Sequence, residues 1–274
     1  MPELPEVETI SRVLREGGPA SPPLLGRVIV GSDLSWQRTL AYPPPDEFAD
    51  RIMGQMIGDI GRRGKYLLLR LDTDTLLFHL RMSGDLVLES AGEPPDVHQR
   101  LILDLDNGNR LAFNDTRKFG RVWLVSDPQE ILGSLGPEPL GSNFTTEVLF
   151  GGLNSRRRQI KPLLLDQSFL AGMGNIYVDE ALHRAKIHPL MISNQIDRER
   201  SDRLWRSIRQ VLEDGINRNG TSFDWVYRGG DFQNYLRVYQ RTGEACPECG
   251  TLIERIIVGQ RSTHICTTCQ IAPV

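Results

Sequence analysis

All four cysteines of this 274-residue chain lie in its last 29 residues, in two Cys-x-x-Cys pairs. Cys246 and Cys249 are separated from Cys266 and Cys269 by 16 residues, and the intervening segment is patterned like a β-hairpin. Two disulfides are the alternative, but this spacing in an otherwise cysteine-free chain is typical of metal binding, and four thiolates suit tetrahedral zinc. Because all four positions are cysteine, we expect one closed, structural Zn²⁺ site.

The predicted hairpin carries two further polar residues. Arg261 follows Gly259 and Gln260 at the expected tip, so it would project from a finger that the metal stiffens. A tip arginine is either solvated or in contact with a phosphate or base, and both remain open. We expect His264 to be a strand residue and not a ligand, because the cysteines complete the ligand set.

Residues 27–126 contain seven short apolar runs separated by turn residues. Asn107-Gly108 lies at the centre of a two-residue turn with apolar residues alternating on both sides, which is a strong hairpin signal. Repeated hairpins at this spacing predict an antiparallel sandwich or barrel of about 100 residues. Before it, apolar residues at helical spacing predict a helix from about Pro5 to Gly17.

The stretch from Gly133 to Phe144 is rich in glycine and proline, which indicates a linker. Beyond it, helices are predicted over residues 145–151, 155–166, 175–186 and 195–217. We therefore divide the chain into an N-terminal domain (1–132), a linker with a first helix (133–150), a helical domain (151–235) and a zinc finger (236–274).

Charge is distributed unevenly along the chain. The net charge is −3, yet residues 1–150 hold 15 basic and 22 acidic side chains, whereas residues 151–274 hold 17 and 13. The C-terminal half is therefore the basic half, although the net charge itself does not indicate a nucleic-acid partner. No apolar run approaches the roughly 18 residues of a membrane span, and no secretory signal is visible. We expect a cytoplasmic protein without a membrane partner.

The chain begins Met-Pro-Glu, and removal of Met1 would expose the secondary amine of Pro2. Because α-amino groups titrate at about 8 and lysine at about 10.4, such an amine is a nucleophile at neutral pH. The structural alternative is that Pro2 and Glu3 only suit the first turn of a helix. These residues alone leave both interpretations open.

A glycine-rich turn between two predicted helices is the second candidate site. Gly172 and Gly174 precede Asn175, where a helix is expected to begin, and Lys161 lies one helix earlier. Backbone N–H groups at a helix start, approached over glycines, can bind a phosphate, and Lys161 could supply matching charge. Asn175 could equally be a plain helix N-cap.

Blocks along the whole chain are similar, in order, to formamidopyrimidine-DNA glycosylases of bacteria. They are PELPEVET, GRRGKYLLL, HLRMSG, NDTRKFGRVW, IKPLLLDQ with GMGNIYVDEAL, and the four-cysteine finger. The resemblance implies an α+β multidomain fold: an N-terminal helix with an antiparallel two-sheet β-sandwich, a helical domain with a helix-two-turn-helix, and a C-terminal β-hairpin zinc finger. Residues 1–132 would then be the catalytic domain.

The resemblance also implies a bifunctional glycosylase and AP lyase that excises 8-oxoguanine and formamidopyrimidines in base excision repair. Pro2 resembles the family's nucleophile, which forms a Schiff base with the sugar before β,δ-elimination cleaves the strand. Glu3 would protonate the sugar ring oxygen, and Glu6 would orient the N-terminus or the sugar unless it is merely solvated. Lys65 and Arg261 resemble the other members of the catalytic set.

By the same resemblance the DNA-binding residues are Lys161, Asn175, Arg117, Met82, Phe119 and His98. Met82, Arg117 and Phe119 would fill the gap that an everted base leaves. A methionine in a strand-like segment is, however, often part of the hydrophobic core. Lys65, Lys161, Asn175 and Arg261 would hold phosphates beside the lesion. Residues 221–234 resemble, less closely, a loop that covers the everted base.

Two other functions remain open. An enzyme similar to endonuclease VIII would prefer oxidised pyrimidines, and a damage-binding protein would use the scaffold without chemistry. PELPEVET with Arg117 and Phe119 favours the purine-directed enzyme, and the presence of Pro2, Glu3 and Lys65 argues against a non-catalytic protein. We expect a monomer whose partner is double-stranded DNA containing oxidised bases or abasic sites.

Overall fold

The structure is a computed structural model that describes residues 1–18, 22–92, 94–222 and 229–273. It divides into two compact units: unit 1 comprises Met1–Gly133 and Ser222–Gly229, and unit 2 comprises Ser134–Thr221 and Gly230–Val274. Of the loop expected over residues 221–234, residues 223–228 lie outside the described part of the chain. Within the described ranges, no helix is both long and apolar enough to cross a membrane.

The described residues of unit 1 form three α-helices, a short 3-10 helix (Gln37–Thr39) and nine strands. The α-helices are α1 (Leu4–Glu16), α2 (Pro45–Ile52) and α3 (Gln129–Leu132). The strands are β1 (Ile29–Asp33), β2 (Leu40–Tyr42), β3 (Asp59–Arg63), β4 (Tyr66–Arg70), β5 (Thr75–His79), β6 (Gly84–Ser90), β7 (Gln99–Leu105), β8 (Asn109–Asp115) and β9 (Arg121–Val125). They form a four-stranded sheet in the order β1-β7-β8-β6 and a five-stranded sheet in the order β2-β9-β5-β4-β3.

The predicted Asn-Gly hairpin joins β7 to β8. Gly108 has φ 76°, a left-handed value that glycine adopts without strain, and the Asn107 side chain accepts the Asn109 N–H at 3.2 Å. Alternate residues of both strands, among them Leu103 and Phe113, are buried in a core shared by the two sheets. The predicted fold class is thereby confirmed for this part of the chain.

Several elements of unit 1 differ from the sequence prediction. Strand β2 pairs in parallel with β9, so the larger sheet is not wholly antiparallel. Strands β2 and β3 and helices α2 and α3 were not predicted. Strand β3 reads Asp-Ile-Gly-Arg-Arg and has a single apolar residue of its own. Strand β3 forms because it pairs with the strongly apolar β4, and this pairing cannot be read from the sequence of β3 itself.

The described residues of unit 2 form four α-helices, two short 3-10 helices and a two-stranded hairpin. The α-helices and strands are α4 (Thr146–Asn154), α5 (Ile160–Leu165), α6 (Asn175–Ala185), α7 (Arg198–Asn217), β10 (Glu254–Val258) and β11 (Arg261–Ile265). The helix predicted from residue 155 begins only at Ile160, because Gln159 forms an isolated β-bridge with Ile192 and is held extended. The β10–β11 hairpin turns at Gly259 and Gln260, as predicted, and His264 lies within β11.

The turn between α5 and α6 is built around the side chain of Gln167. Its Nε2 donates to the carbonyls of Leu165 at 3.0 Å and Met173 at 2.9 Å, while its Oε1 accepts the Gly172 N–H at 2.9 Å. Gly172 has φ 86°, a value that disfavours a side chain. One glutamine thus closes both turns of the helix-two-turn-helix and fixes where α6 begins.

Candidate functional site

The start of α1 brings Pro2, Glu3 and Glu6 together. Glu3 is the N-cap residue, and its carboxylate accepts the Glu6 N–H, while Glu6 Oε2 accepts the Glu3 N–H at 2.8 Å. This reciprocal capping box satisfies two N–H groups at the helix start and places two acids where the helix dipole favours them. Pro2 and both acids are buried. The backbone at Glu3, directly after Pro2, is therefore fixed by two hydrogen bonds between Glu3 and Glu6.

Lys65 lies in the turn between β3 and β4, close to α1. Arg62 joins the two elements, because its Nε contacts Glu8 Oε2 of α1 at 3.1 Å and its Nη1 donates to the Gly64 carbonyl at 3.1 Å. Burial, together with the charges of Arg81 and Lys65, lowers the pKa of His79 to about 3. His79 is therefore a neutral imidazole that lies near the side chains of Arg81 and Lys65.

Met82, Arg117, Phe119 and His98 lie in loops at one end of the β-sandwich. Met82 is half-buried, and the Phe119 ring is 50% exposed, so Phe119 is not part of the core. The Arg117 guanidinium carbon is 5.0 Å from the centroid of the Phe119 ring, a cation–π contact. Arg117 and His98 are exposed. These loops present an apolar ring and an arginine to solvent side by side.

In unit 2, a buried polar cluster joins α5 and α6 to strand β11. Lys161 Nζ is 2.6 Å from Asp179 Oδ1 and 3.0 Å from the Ser262 carbonyl oxygen, which also accepts from Asn175 Nδ2 at 2.9 Å. Asp179 Oδ2 accepts the His264 N–H at 2.9 Å. Asn175 is the first residue of α6, and Gly174 is its N-cap. The cluster holds the hairpin that carries Arg261 against the helix that carries Asn175.

Lys161 is placed differently from the expectation that it contacts a phosphate. Its side chain is 0% exposed and its ammonium is paired with Asp179 inside the unit. A buried ammonium with a carboxylate partner contributes to the structure of this unit, and the contact of Lys161 with a phosphate stays a prediction. Asn175 is half-buried and Arg261 is exposed, so these two residues remain accessible.

The buried ion pair gives a prediction for stability. Asp179→Leu should lower the free energy of unfolding by about 3–5 kcal/mol, because it removes the carboxylate that compensates a buried ammonium. The double variant Lys161→Met with Asp179→Leu should recover much of this loss, since both charges are then absent. Denaturant unfolding measures both variants.

The control for that experiment is Glu213→Gln, which affects the exposed pair that Glu213 forms with Arg209 at 3.8 Å. Such pairs contribute at most about 1 kcal/mol, so this variant should unfold almost as the parent does. If Asp179→Leu unfolded no more easily than Glu213→Gln, the cluster would not stabilise unit 2.

The four cysteines form a compact cluster whose ligand atoms all lie within 4.8 Å of one another. Cys246 and Cys269 Sγ are 4.0 Å apart, Cys249 and Cys266 are 3.4 Å apart, and Cys249 and Cys269 are 3.6 Å apart. A tetrahedron of sulfurs around zinc has edges of about 3.8 Å. The donor set and its spacing fit one structural zinc ion. The cluster confirms the cofactor prediction.

The sequence analysis did not identify Glu180, Asp179 and His183, whose side chains contact the zinc finger segment. Glu180 is fully buried and accepts the N–H groups of Arg237, Val238 and Tyr239 at 2.9, 3.0 and 2.9 Å. Burial raises the pKa of Glu180, against the three hydrogen bonds that lower it. Asp179 is the second, and the third is His183, whose Nε2 lies 3.4 Å from Cys246 Sγ. The sequence signal that could have identified Asp179 and Glu180 is that two consecutive acids lie in a helix that is otherwise largely apolar.

Three family models match successive parts of the chain. The formamidopyrimidine-DNA glycosylase N-terminal domain matches residues 1–122, the formamidopyrimidine-DNA glycosylase H2TH domain matches residues 135–225, and the zinc finger found in FPG and IleRS matches residues 243–271. Together they correspond to the sandwich, the helix-two-turn-helix and the four-cysteine hairpin described above. This succession defines a DNA glycosylase with a zinc finger.

Individual relatives agree over nearly the full length. A formamidopyrimidine-DNA glycosylase of Protochlamydia amoebophila is 46% identical over 279 residues, which cover 98% of this chain and 99% of that protein. A structure of MutM in complex with carbocyclic 8-oxo-G containing DNA has a TM-score of 0.91 at 36% identity, covering 99% and 100% of the two chains. A Lactococcus lactis FPG mutant bound to Fapy-dG containing DNA has a TM-score of 0.92 at 35% identity, with the same coverage. The chain belongs to the formamidopyrimidine-DNA glycosylase family.

Proposed function

We propose that this chain excises formamidopyrimidines and 8-oxoguanine from duplex DNA and then cleaves the strand, with Pro2 as the nucleophile after removal of Met1. The observation that carries this proposal is the Glu3–Glu6 capping box, which holds Pro2 and two carboxylates together at the start of α1. Solved relatives bound to DNA with 8-oxo-G or Fapy-dG support the substrate class.

In the proposed reaction, the Pro2 amine attacks C1′ of the damaged nucleotide, and the bond from C1′ to the base breaks. Glu3 donates a proton to the ring oxygen, so the sugar opens and an iminium links it to Pro2. Glu6 has a positioning role, because its carboxylate accepts the backbone N–H of Glu3.

The iminium then explains the lyase step. It acidifies the C2′ proton, and loss of that proton expels the 3′ phosphate. A second elimination expels the 5′ phosphate, and hydrolysis of the iminium frees Pro2. The same amine therefore serves both steps, and no second nucleophile is required.

DNA contacts are proposed for both units. Met82, Arg117 and Phe119 fill the gap left by the everted base, since an apolar group that enters the stack offsets part of the unstacking cost. Lys65, Asn175, Arg261 and His98 contact the backbone beside the lesion. Lys161 acts through the Ser262 carbonyl, which it shares with Asn175. Zinc holds the hairpin that carries Arg261.

The domain assignment follows from these roles. The proposed boundaries are 1–132 for the catalytic domain, 133–150 for the linker with the first helix, 151–235 for the helix-two-turn-helix domain with the lesion-covering loop, and 236–274 for the zinc finger; helix α4 (Thr146–Asn154) crosses the boundary at residue 150. No proposed role needs a second copy, so the protein acts as a monomer. A bacterial enzyme of this kind acts on the nucleoid in the cytoplasm.

A cleavage assay tests the function. Duplexes carry 8-oxoguanine, a formamidopyrimidine, an oxidised pyrimidine or an abasic site. We expect β,δ-elimination products from the first two and from the abasic site, at rates well above those on the oxidised pyrimidine. Preference for the pyrimidine would instead indicate an enzyme similar to endonuclease VIII, and binding without cleavage would indicate a damage-binding protein.

A further inference from the structure

Asp115 is the last residue of β8, and its side chain accepts hydrogen bonds from two neighbouring loops. It is fully buried, and its carboxylate accepts from Ser83 Oγ at 2.5 Å, from the Arg117 N–H at 3.1 Å and from the Gly120 N–H at 2.7 Å. Ser83 directly follows Met82, and Arg117 and Gly120 flank Phe119. One carboxylate therefore joins the two loops that carry the proposed wedge.

The backbone of Asp115 joins a third loop to the first two. Its N–H donates to the His98 carbonyl at 2.9 Å, and its carbonyl accepts from Arg100 Nε at 2.7 Å. Arg100 Nη1 donates in turn to the Val97 carbonyl at 3.0 Å. The loop of His98 is thus held to the same residue as the loops of Met82 and Phe119.

Close packing on Phe113, two residues earlier in β8, reinforces these hydrogen bonds. A Cβ added to Gly84 would lie 2.9 Å from Phe113 Cε2, and one added to Gly120 would lie 2.4 Å from Phe113 Cζ. Both loops therefore contact the buried ring directly, and neither glycine has room for a side chain. Phe113 is itself fixed by an edge contact with Phe78 at 5.6 Å between ring centroids.

We propose that Asp115 is a positioning residue that holds Met82, His98, Arg117 and Phe119 in one preformed arrangement before DNA binds. The inference rests on the proposed function, because it concerns residues that act once a base leaves the stack. Loops that were ordered only during extrusion would add their conformational entropy to the cost of that step. A preformed arrangement avoids this addition, so it should matter for a stacked lesion and little for an abasic site.

Asp115→Asn is the sharpest test because it preserves shape. A carboxylate accepts on both oxygens, whereas an amide turns one position into a donor that faces another donor. The matched control is Asp127→Asn, an exposed turn residue of the same unit that accepts the Gln129 N–H at 2.9 Å. Ser83→Ala removes one of the three donors and provides a second, milder variant.

For Asp115→Asn we expect single-turnover excision of 8-oxoguanine to slow about tenfold, the effect of one or two lost hydrogen bonds. Cleavage at an abasic site should change less than about threefold, because no base is extruded. Ser83→Ala should show the same selectivity to a smaller extent, and Asp127→Asn should match the parent. Equal losses on both substrates, or parental rates on both in Asp115→Asn and Ser83→Ala, would overturn the proposal.

Amide hydrogen exchange in the protein without DNA provides a readout independent of activity. Asp115→Asn should accelerate exchange at Arg117 and Gly120, whereas Asp127→Asn should leave both protected. Unchanged protection at these amides in Asp115→Asn would refute the positioning role. If the parent protein cleaves neither lesion, the proposed function fails, but this exchange result still decides whether Asp115 fixes the loops.

Discussion

Glu3→Gln is expected to bind an 8-oxoguanine duplex as the parent does while losing base excision by about 10²–10⁴-fold, the usual contribution of a general acid. The glutamine carbonyl can still accept the Glu6 N–H, so the capping box at the start of α1 should remain. The amide has no acidic proton for the sugar ring oxygen. The variant therefore separates the chemistry of Glu3 from its role in the fold.

Single-turnover excision and equilibrium binding measure the two effects. Glu16→Gln is the control, because Glu16 lies at the other end of α1 in an exposed pair with Arg15 at 3.0 Å. In the parent protein, borohydride should trap a covalent adduct whose peptide map places the sugar on Pro2. Normal turnover by Glu3→Gln would contradict the acid role, and an adduct on Lys65 would contradict the assignment of the nucleophile.

Cys249→Ser is expected to remove the zinc ion and loosen the hairpin of β10 and β11, which would keep its hydrogen bonds to Lys161, Asn175 and Asp179. Structural zinc contributes about 10–16 kcal/mol of apparent binding free energy in finger peptides, so loss of one ligand should leave the hairpin without its main constraint. Arg261 would then no longer be held for contact with DNA. We expect zinc to fall from one ion per chain to nearly none, and DNA affinity to fall about tenfold or more.

Metal analysis and binding to an undamaged duplex at fixed salt measure these changes. Thr267→Ala is the control, because Thr267 is an exposed residue next to Cys266 whose hydroxyl contacts Glu254 at 3.4 Å. It should retain both zinc and affinity. A metal-free chain that bound DNA as tightly as the parent would show that the finger does not depend on its metal.

The sequence predicted the elements whose signals are local. The Asn107-Gly108 turn, the helix beginning near Pro5 and the two cysteine pairs each depend on residues within a few positions of one another. Strand β3 was missed because its pairing with β4 compensates for its polar composition. The helix predicted from residue 155 begins late because Gln159 pairs with the distant Ile192.

The candidate site shows the same division. The resemblance supplied Pro2 and Glu3, and the structure adds the capping box that holds them. Asp115 belongs to the sequence block NDTRKFGRVW, but its role depends on Ser83, 32 residues earlier. The role of Asp179 depends on His264, 85 residues later. Periodicity cannot show such partners, because it reports which face a residue occupies and not what meets it there.

The adjacent acids of α6 also limit how far the C-terminal finger can be treated as a transferable module. Asp179 accepts the His264 N–H in strand β11 of the finger, and Glu180 accepts three consecutive N–H groups of residues 237–239 at the N-terminal end of the finger. A finger grafted from another protein would have to present its N–H groups to these two carboxylates in the same register. Without that match, the recipient would keep Glu180 buried without these three donors and Asp179 buried without the His264 N–H. The junction of a functional chimera therefore belongs before α6, so that the helix and the finger are exchanged together.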